Sequence, residues 1–193
     1  MSRIAFSDLA NADLVVDAVY EGLKGTSNVG GEPLHPLLGV GNMGGFRKKL
    51  GASGRLVGVV LTSTRSEPDW QDDLDPFSGT YTYYDDNRRP GKSLHDTKVG
   101  GNRTLATIFE LAHSGQQSRQ QSPLVLIFES TGQGRDMQFR GLAVPGSPQL
   151  GPGEDLVAIW RSANGQRFQN YKVVFSILDQ DSVILNRSCR RLH

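Results

Sequence analysis

At 193 residues, with 37% hydrophobic and 21% charged side chains, the chain can bury a sizeable core but is short for two ordinary domains, so one globular domain over residues 1–193 is expected. Its 23 glycines and 9 prolines point to a turn-rich β architecture, no apolar run approaches the roughly 18 residues of a membrane span, and the acids Asp8 and Asp13 exclude a signal peptide. A net charge of +1 is low for a polyanion binder, and a single cysteine, Cys189, excludes an internal disulfide or a cysteine-based zinc site and suits a reducing cytoplasm.

Taken in order, residues 11–24 read as a helix: Asn11 can cap it, and Leu14, Val15, Ala18 and Val19 recur at helical spacing. Residues 30–45 are glycine-rich and run into Phe46-Arg47-Lys48-Lys49, where amides freed by glycine beside three cations could hold phosphates, or form a plain loop. Residues 56–62 are apolar and β-branched, the pattern of a buried strand, and residues 80–84 have the composition of a second, with Tyr81 and Tyr83 facing one way and Thr82 and Tyr84 the other. A basic turn follows, then a helix over residues 104–113 with Leu105, Ile108 and Leu111 on one face. Residues 123–130, 137–144, 156–161 and 171–178 read as four further strands, in which Phe128, Phe139, Trp160 and Phe175 are expected in the core. About six strands and two helices without regular alternation predict an α+β fold: a strongly bent mixed sheet or partial barrel with helices at its side. The chain stops a few residues after its last strand, as expected of a domain cut from a longer protein.

The chemistry concentrates in Trp70-Gln71-Asp72-Asp73-Leu74-Asp75-Pro76-Phe77-Ser78-Gly79-Thr80-Tyr81-Thr82-Tyr83-Tyr84, where aromatic rings bracket three carboxylates. Rings stack on planar ligands, and ionised aspartates only accept hydrogen bonds, so the stretch suits a planar, donor-bearing ligand such as a nucleobase. Cytosine fits best, because its N4 amino group donates to a carboxylate. Charge is arranged to match: residues 67–86 hold seven acids and no base, whereas residues 44–66 hold Arg47, Lys48, Lys49, Arg55 and Arg65 without an acid, and residues 87–103 hold Arg88, Arg89, Lys92, Lys98 and Arg103 against Asp96 alone. An acidic centre with basic flanks would let phosphates lie outside while one base enters the middle; ordinary alternation of charge on a solvated surface is the plainer alternative.

These residues resemble a known family, the SRA (SET- and RING-associated) domain, and most closely the SRA-like recognition modules of bacterial modification-dependent restriction endonucleases of the MspJI, AspBHI and McrA-like HNH kinds. The resemblance runs from about residue 34 to 178. It rests on Val59-Val60-Leu61, then Trp70-Gln71-Asp72-Asp73-Leu74-Asp75 and Tyr81-Thr82-Tyr83, with Gly101-Asn102-Arg103 opening a helix. It implies an SRA/PUA-like fold and binding of double-stranded DNA that carries 5-methylcytosine, with the modified base flipped into a pocket. Trp70 and Tyr83 would sandwich the ring, Asp73 would accept from N4, and Tyr84 would wall the cavity facing the methyl group. Asn42, Arg47, Lys48, Lys49, Arg88, Arg89, Lys92, Asn102 and Arg103 would contact the DNA backbone and grooves. The implied module carries no catalytic residue, metal or cofactor of its own. A divalent metal would belong to a covalently linked nuclease domain, and the full-length protein could form a homo-oligomer. Trp70 stands where eukaryotic members have tyrosine, and residues 63–69 form an insertion beside the pocket.

Two other readings come from different classes. Pro68-Asp69 followed by Asp96-Thr97-Lys98 weakly mimics a nuclease site in which two carboxylates hold Mg²⁺ and a lysine assists the attacking water. A nonspecific DNA binder would use the basic flanks alone. A Ca²⁺ loop built on Asp69, Asp72, Asp73 and Asp75 fails on spacing, lacking glycine at the sixth position and glutamate at the twelfth.

Overall fold

The structure is a computed structural model that describes residues 2–185, apart from 26–28, 43, 65–70, 85–89, 92, 98, 152 and 164. In chain order the elements are β1 (Arg3–Ile4), a 3-10 turn at Phe6–Asn11, β2 (Leu14–Val15), β3 (Val19–Tyr20), a 3-10 turn at Val29–Gly31, α1 (Leu34–Leu38), β4 (Phe46–Leu50), β5 (Leu56–Ser63), β6 (Asp73–Asp75) and β7 (Thr80–Tyr84). There follow α2 (Gly101–His113), α3 (Gln116–Arg119), β8 (Leu124–Ser130), β9 (Met137–Pro145), β10 (Leu156–Ala163), β11 (Gln166–Ile177) and β12 (Ser182–Val183). The chain packs as two compact units, Met1–Ser66 with Leu124–Ala143 and Leu178–His193, and Glu67–Pro123 with Val144–Ile177.

In the first unit β5 pairs antiparallel with β4 and parallel with β8, β8 pairs antiparallel with β9, and β3 joins β9 antiparallel while lying parallel to β1. The long apolar runs are explained by burial on both faces: Val59, Val60 and Leu61 of β5 and Val125 to Phe128 of β8 are all covered. Tyr20, Phe128 and Phe139 interlock there, with ring centroids 6.0 and 5.0 Å apart. The Tyr20 hydroxyl donates to Asp13 O and accepts from Val15 N, so its polar tip is satisfied inside the core.

The helix expected over residues 11–24 does not form. Asp17 sits in the left-handed region at φ 62°, which interrupts any α-helix, and Val19 and Tyr20 pair across to Gln138 and Met137. Of the four apolar residues expected on that helix, Leu14, Ala18 and Val19 are buried, by short strands rather than by one helical face, whereas Val15 is 40% exposed. β-branched Val15, Val16 and Val19 suit that outcome.

The second unit is a four-stranded antiparallel sheet in the order β10-β11-β7-β6, with α2 packed through Phe109, whose ring meets Phe175 edge-on at 5.2 Å. Leu105 and Ile108 are buried beside it. At the other end of α2, His113 Nε2 lies 2.8 Å from Asp155 Oδ2, just ahead of β10. Among the described residues each unit's sheet is open, so the mixed-sheet expectation holds and the partial-barrel one does not. Phe128, Phe139 and Phe175 are fully buried, but Trp160 is 57% exposed, because β10 pairs only with β11 among the described residues and lies at the sheet's edge. No helix among the described residues is long and apolar enough to cross a membrane.

Candidate functional site

The β6–β7 hairpin is built by its own carboxylates. Asp75 accepts from Phe77 N through Oδ1 at 2.9 Å and from the Ser78 hydroxyl through Oδ2 at 2.6 Å, and Gly79, at φ 66°, returns its N–H to Asp75 O. These bonds, the Ser78 hydroxyl first and the Phe77 amide second, hold the Asp75 carboxyl below the ordinary carboxylate range. At the hairpin's open end Asp72 Oδ1 accepts from Tyr84 N at 2.9 Å. Two of the three carboxylates therefore shape the backbone. Asp73 is exposed, and no described residue donates to it.

Strand register sorts the remaining candidates by face. Asp73 lies opposite Thr82, and directly opposed residues of an antiparallel pair point the same way, so Asp73 shares a face with Thr82 and Tyr84. On β11 the partners of Thr82 and Tyr84 are Val174 and Lys172. The Arg161 guanidinium carbon sits 5.1 Å from the centre of the Tyr84 ring. The opposite face carries Tyr81 and Tyr83, buried at 0% and 2% exposure over Phe175 and Val173. Tyr83 and Tyr84 therefore cannot present both rings to one ligand on one face of β7; the half-buried ring beside Asp73 is that of Tyr84.

Two of the residues expected to contact DNA are bonded within the framework. Arg47, 8% exposed, donates through Nη1 to Glu32 Oε1 at 2.7 Å and to Gly41 O at 3.0 Å, and through Nε to Gly44 O at 3.0 Å, while Glu32 Oε2 accepts from Leu34 N. A guanidinium so placed fixes the glycine-rich segment. Asn102 is fully buried, donating to Leu94 O at 2.7 Å and accepting from Tyr171 N at 3.4 Å. Lys48 and Arg103 are exposed, and Asn42 and Lys49 half-buried; Arg103 makes a long contact of 3.5 Å to His95 O. Asn42, Arg47, Lys48 and Lys49 belong to the first unit; Asp73, Tyr83, Tyr84, Asn102 and Arg103 belong to the second. Trp70, Arg88, Arg89 and Lys92 lie outside the described residues, as do Pro68, Asp69 and Lys98 of the nuclease-like pattern. No group of metal-ligating side chains occurs among the described residues.

Sequence reasoning missed Glu32, Thr82 and Arg161. Thr82 could have been found from the alternation of β7, which places it and Tyr84 on one side. Glu32 and Arg161 carry no local signal, since their roles arise from partners 15 and 77 positions away.

A family model described as the N-terminal region of the restriction endonuclease AspBHI matches residues 14–187, a span that runs through both units. The chain belongs to this AspBHI N-terminal family. Among solved structures, the DNA modification-dependent restriction endonuclease AspBHI is 47% identical, with a TM-score of 0.86 over 99% of this chain and 48% of its own. The DNA recognition domain of the cytosine modification-dependent restriction endonuclease LpnPI is 39% identical, with a TM-score of 0.88 over 100% of this chain and 85% of its own. MspJI restriction endonuclease, solved with an oligonucleotide, shares the fold at 20% identity, with a TM-score of 0.61 over 89% of this chain and 44% of its own. The chain thus spans about half the length of AspBHI. No curated protein matches it.

Proposed function

We propose that this member of the AspBHI N-terminal family is the DNA-recognition module of a modification-dependent restriction endonuclease, and that it binds duplex DNA by taking a flipped 5-methylcytosine onto the Asp73 face of the second unit. The observation that carries this reading is the isolation of one carboxylate: Asp72 and Asp75 are bound to the hairpin backbone, whereas Asp73 keeps its acceptors for a ligand, beside Thr82 and the Tyr84 ring. A carboxylate accepts from the cytosine N4 amino group, and a hydroxyl can donate to or accept from the same edge. An aromatic ring supplies about 1–3 kcal/mol of stacking per base, comparable with the few kcal/mol that flipping costs. Phosphate contacts must then provide most of the affinity. Lys48, Lys49, Lys172 and Arg103 are exposed or half-buried cations available for that task, joined in this reading by Arg88, Arg89 and Lys92.

In this proposal the module is not itself catalytic and needs no cofactor. Cleavage belongs to a linked nuclease domain that supplies its own divalent metal, as the 48% coverage of AspBHI supports. The working compartment is the cytoplasm, where the DNA and the single cysteine are both accommodated. The test is a titration at fixed salt with otherwise identical duplexes carrying cytosine, 5-methylcytosine or 5-hydroxymethylcytosine, with 2-aminopurine beside the modified base. Tighter binding of a modified duplex with a rise in 2-aminopurine emission is expected. Equal, salt-sensitive binding of all three without that rise would reduce the protein to a nonspecific DNA binder.

A further inference from the structure

We infer that the outer end of the β10–β11 hairpin, with Trp160 and Arg167 as its contact pair, is a second docking surface that grips the duplex flanking the recognised base. The inference rests on the DNA-binding reading above and extends it to a surface that the base pocket does not use.

The register pairs Trp160 with Gln169 and Ser162 with Arg167, so these four side chains stand together on one face of the hairpin. Trp160 is more than half exposed, and the Arg167 guanidinium carbon lies 4.8 Å from its ring centre. Stacking on indole holds the guanidinium flat while leaving its charge in solvent. Gly165, at φ 75°, lets the chain turn tightly just beyond the pair.

A solvent-facing tryptophan needs an explanation that edge protection does not provide. A cation alone blunts an edge strand against unwanted pairing, and an indole is not needed for that. The indole adds a flat apolar surface, which suits a partner offering an anion and an apolar edge side by side. The sugar–phosphate backbone of DNA is such a partner. Charge points the same way, because residues 156–177 contain Arg161, Arg167 and Lys172 and no aspartate or glutamate. A fully exposed phenylalanine, Phe77, gives the contrast: it sits at the tip of the β6–β7 hairpin, whose own strands carry no cation.

The experiment uses the full chain with a short duplex and one extended by a helical turn, about 10 base pairs, on each side. Each duplex is tested with cytosine or 5-methylcytosine at the centre. Trp160→Ala and Arg167→Ala are each expected to weaken the extended duplex by roughly five- to tenfold, with the short duplex affected less and the ratio between modified and plain DNA unchanged. Arg167→Glu, at an exposed position, is expected to weaken it further. In a Trp70→Phe background Trp160 is the sole tryptophan, and its emission is expected to quench on adding plain extended duplex. Wild-type affinity in Arg167→Glu together with unquenched Trp160 would overturn the inference while leaving a preference for 5-methylcytosine intact. The converse, quenching and lost affinity without any preference for the modified base, would sustain the hairpin surface and remove the base-reading proposal. A protein that binds no duplex at all would end both.

Discussion

The second unit sets two hairpins of opposite charge into one sheet, β6–β7 with three carboxylates and no cation, and β10–β11 with three cations and no carboxylate. They spend their charges differently. In the acidic hairpin Asp72 and Asp75 are consumed in fixing the backbone, and Asp73 alone is left over. In the basic hairpin two of the three cations lie on aromatic rings, Arg161 on Tyr84 and Arg167 on Trp160, and at the exposed Arg167 the ring orients the guanidinium without cancelling its charge. A hydrogen-bonded carboxylate has lost much of its capacity to accept from a ligand, whereas a stacked guanidinium keeps its donors. The density of charge in a stretch of sequence is therefore a poor guide to how much of it a ligand can use.

Substitutions that shift side chains between framework and ligand duty test this contrast. The largest effect is expected at the root of the basic hairpin, where Asn102 ties α2 to Tyr171 of β11. Asn102→Asp removes the donor to Leu94 O and places a buried carboxylate against that carbonyl, so urea unfolding is expected to show a loss of about 3–5 kcal/mol at neutral pH. The loss should shrink in acid, where the carboxyl takes up a proton and regains a donor. A neutral result would mean that the hairpin does not depend on this anchor.

Next comes the acidic hairpin's spare carboxylate. Asp73→Asn is expected to leave stability within about 0.5 kcal/mol, because nothing described bonds to it, and to weaken binding of a 5-methylcytosine duplex by about 1–3 kcal/mol through loss of an acceptor for N4. Unchanged affinity in a direct titration would take Asp73 out of the site. Smaller again is Lys172→Ala on the basic side. It should weaken modified and plain duplexes alike and lower the slope of log K against log salt by about one. A loss confined to modified DNA would instead place Lys172 at the base, beside its strand partner Tyr84.

The same contrast explains what could be read from the sequence. The apolar runs of β5 and β8, the alternation of β7, the α2 face and the buried phenylalanines follow from local periodicity, and each forms close to where it is expected. The separation of Asp73 from Asp72 and Asp75 is not local, since it depends on which backbone amide folds back to meet each carboxylate. Arg47 and Asn102 look like surface polar residues beside glycines and cations; only the pairing of Arg47 with Glu32, and of Asn102 with Leu94 and Tyr171, draws them inside. Trp160 errs the other way, because a strand of apolar composition gives no sign that it will lie at a sheet edge. Asp17 turns a helix-like pattern into short strands through a single backbone angle.

The finest test concerns pH. The Asp75 carboxyl is held below its ordinary range by the Ser78 hydroxyl and the Phe77 amide, so the folded protein releases this proton more readily than the unfolded chain does. That difference stabilises the hairpin above the ordinary aspartate value of about 3.9, and it fades as pH falls through the lower folded value, where both states are protonated. Asparagine keeps an acceptor for the Phe77 amide but cannot titrate, so Asp75→Asn is expected to lie slightly below the wild type in stability at neutral pH and to converge with it in acid. Binding of modified DNA should not change, because Asp75 serves the turn. Parallel stability curves down to acid pH would show that the two bonds hold the turn without favouring the ionised carboxyl. A loss of affinity instead would mean that the acidic hairpin has a second carboxylate to spare for its ligand.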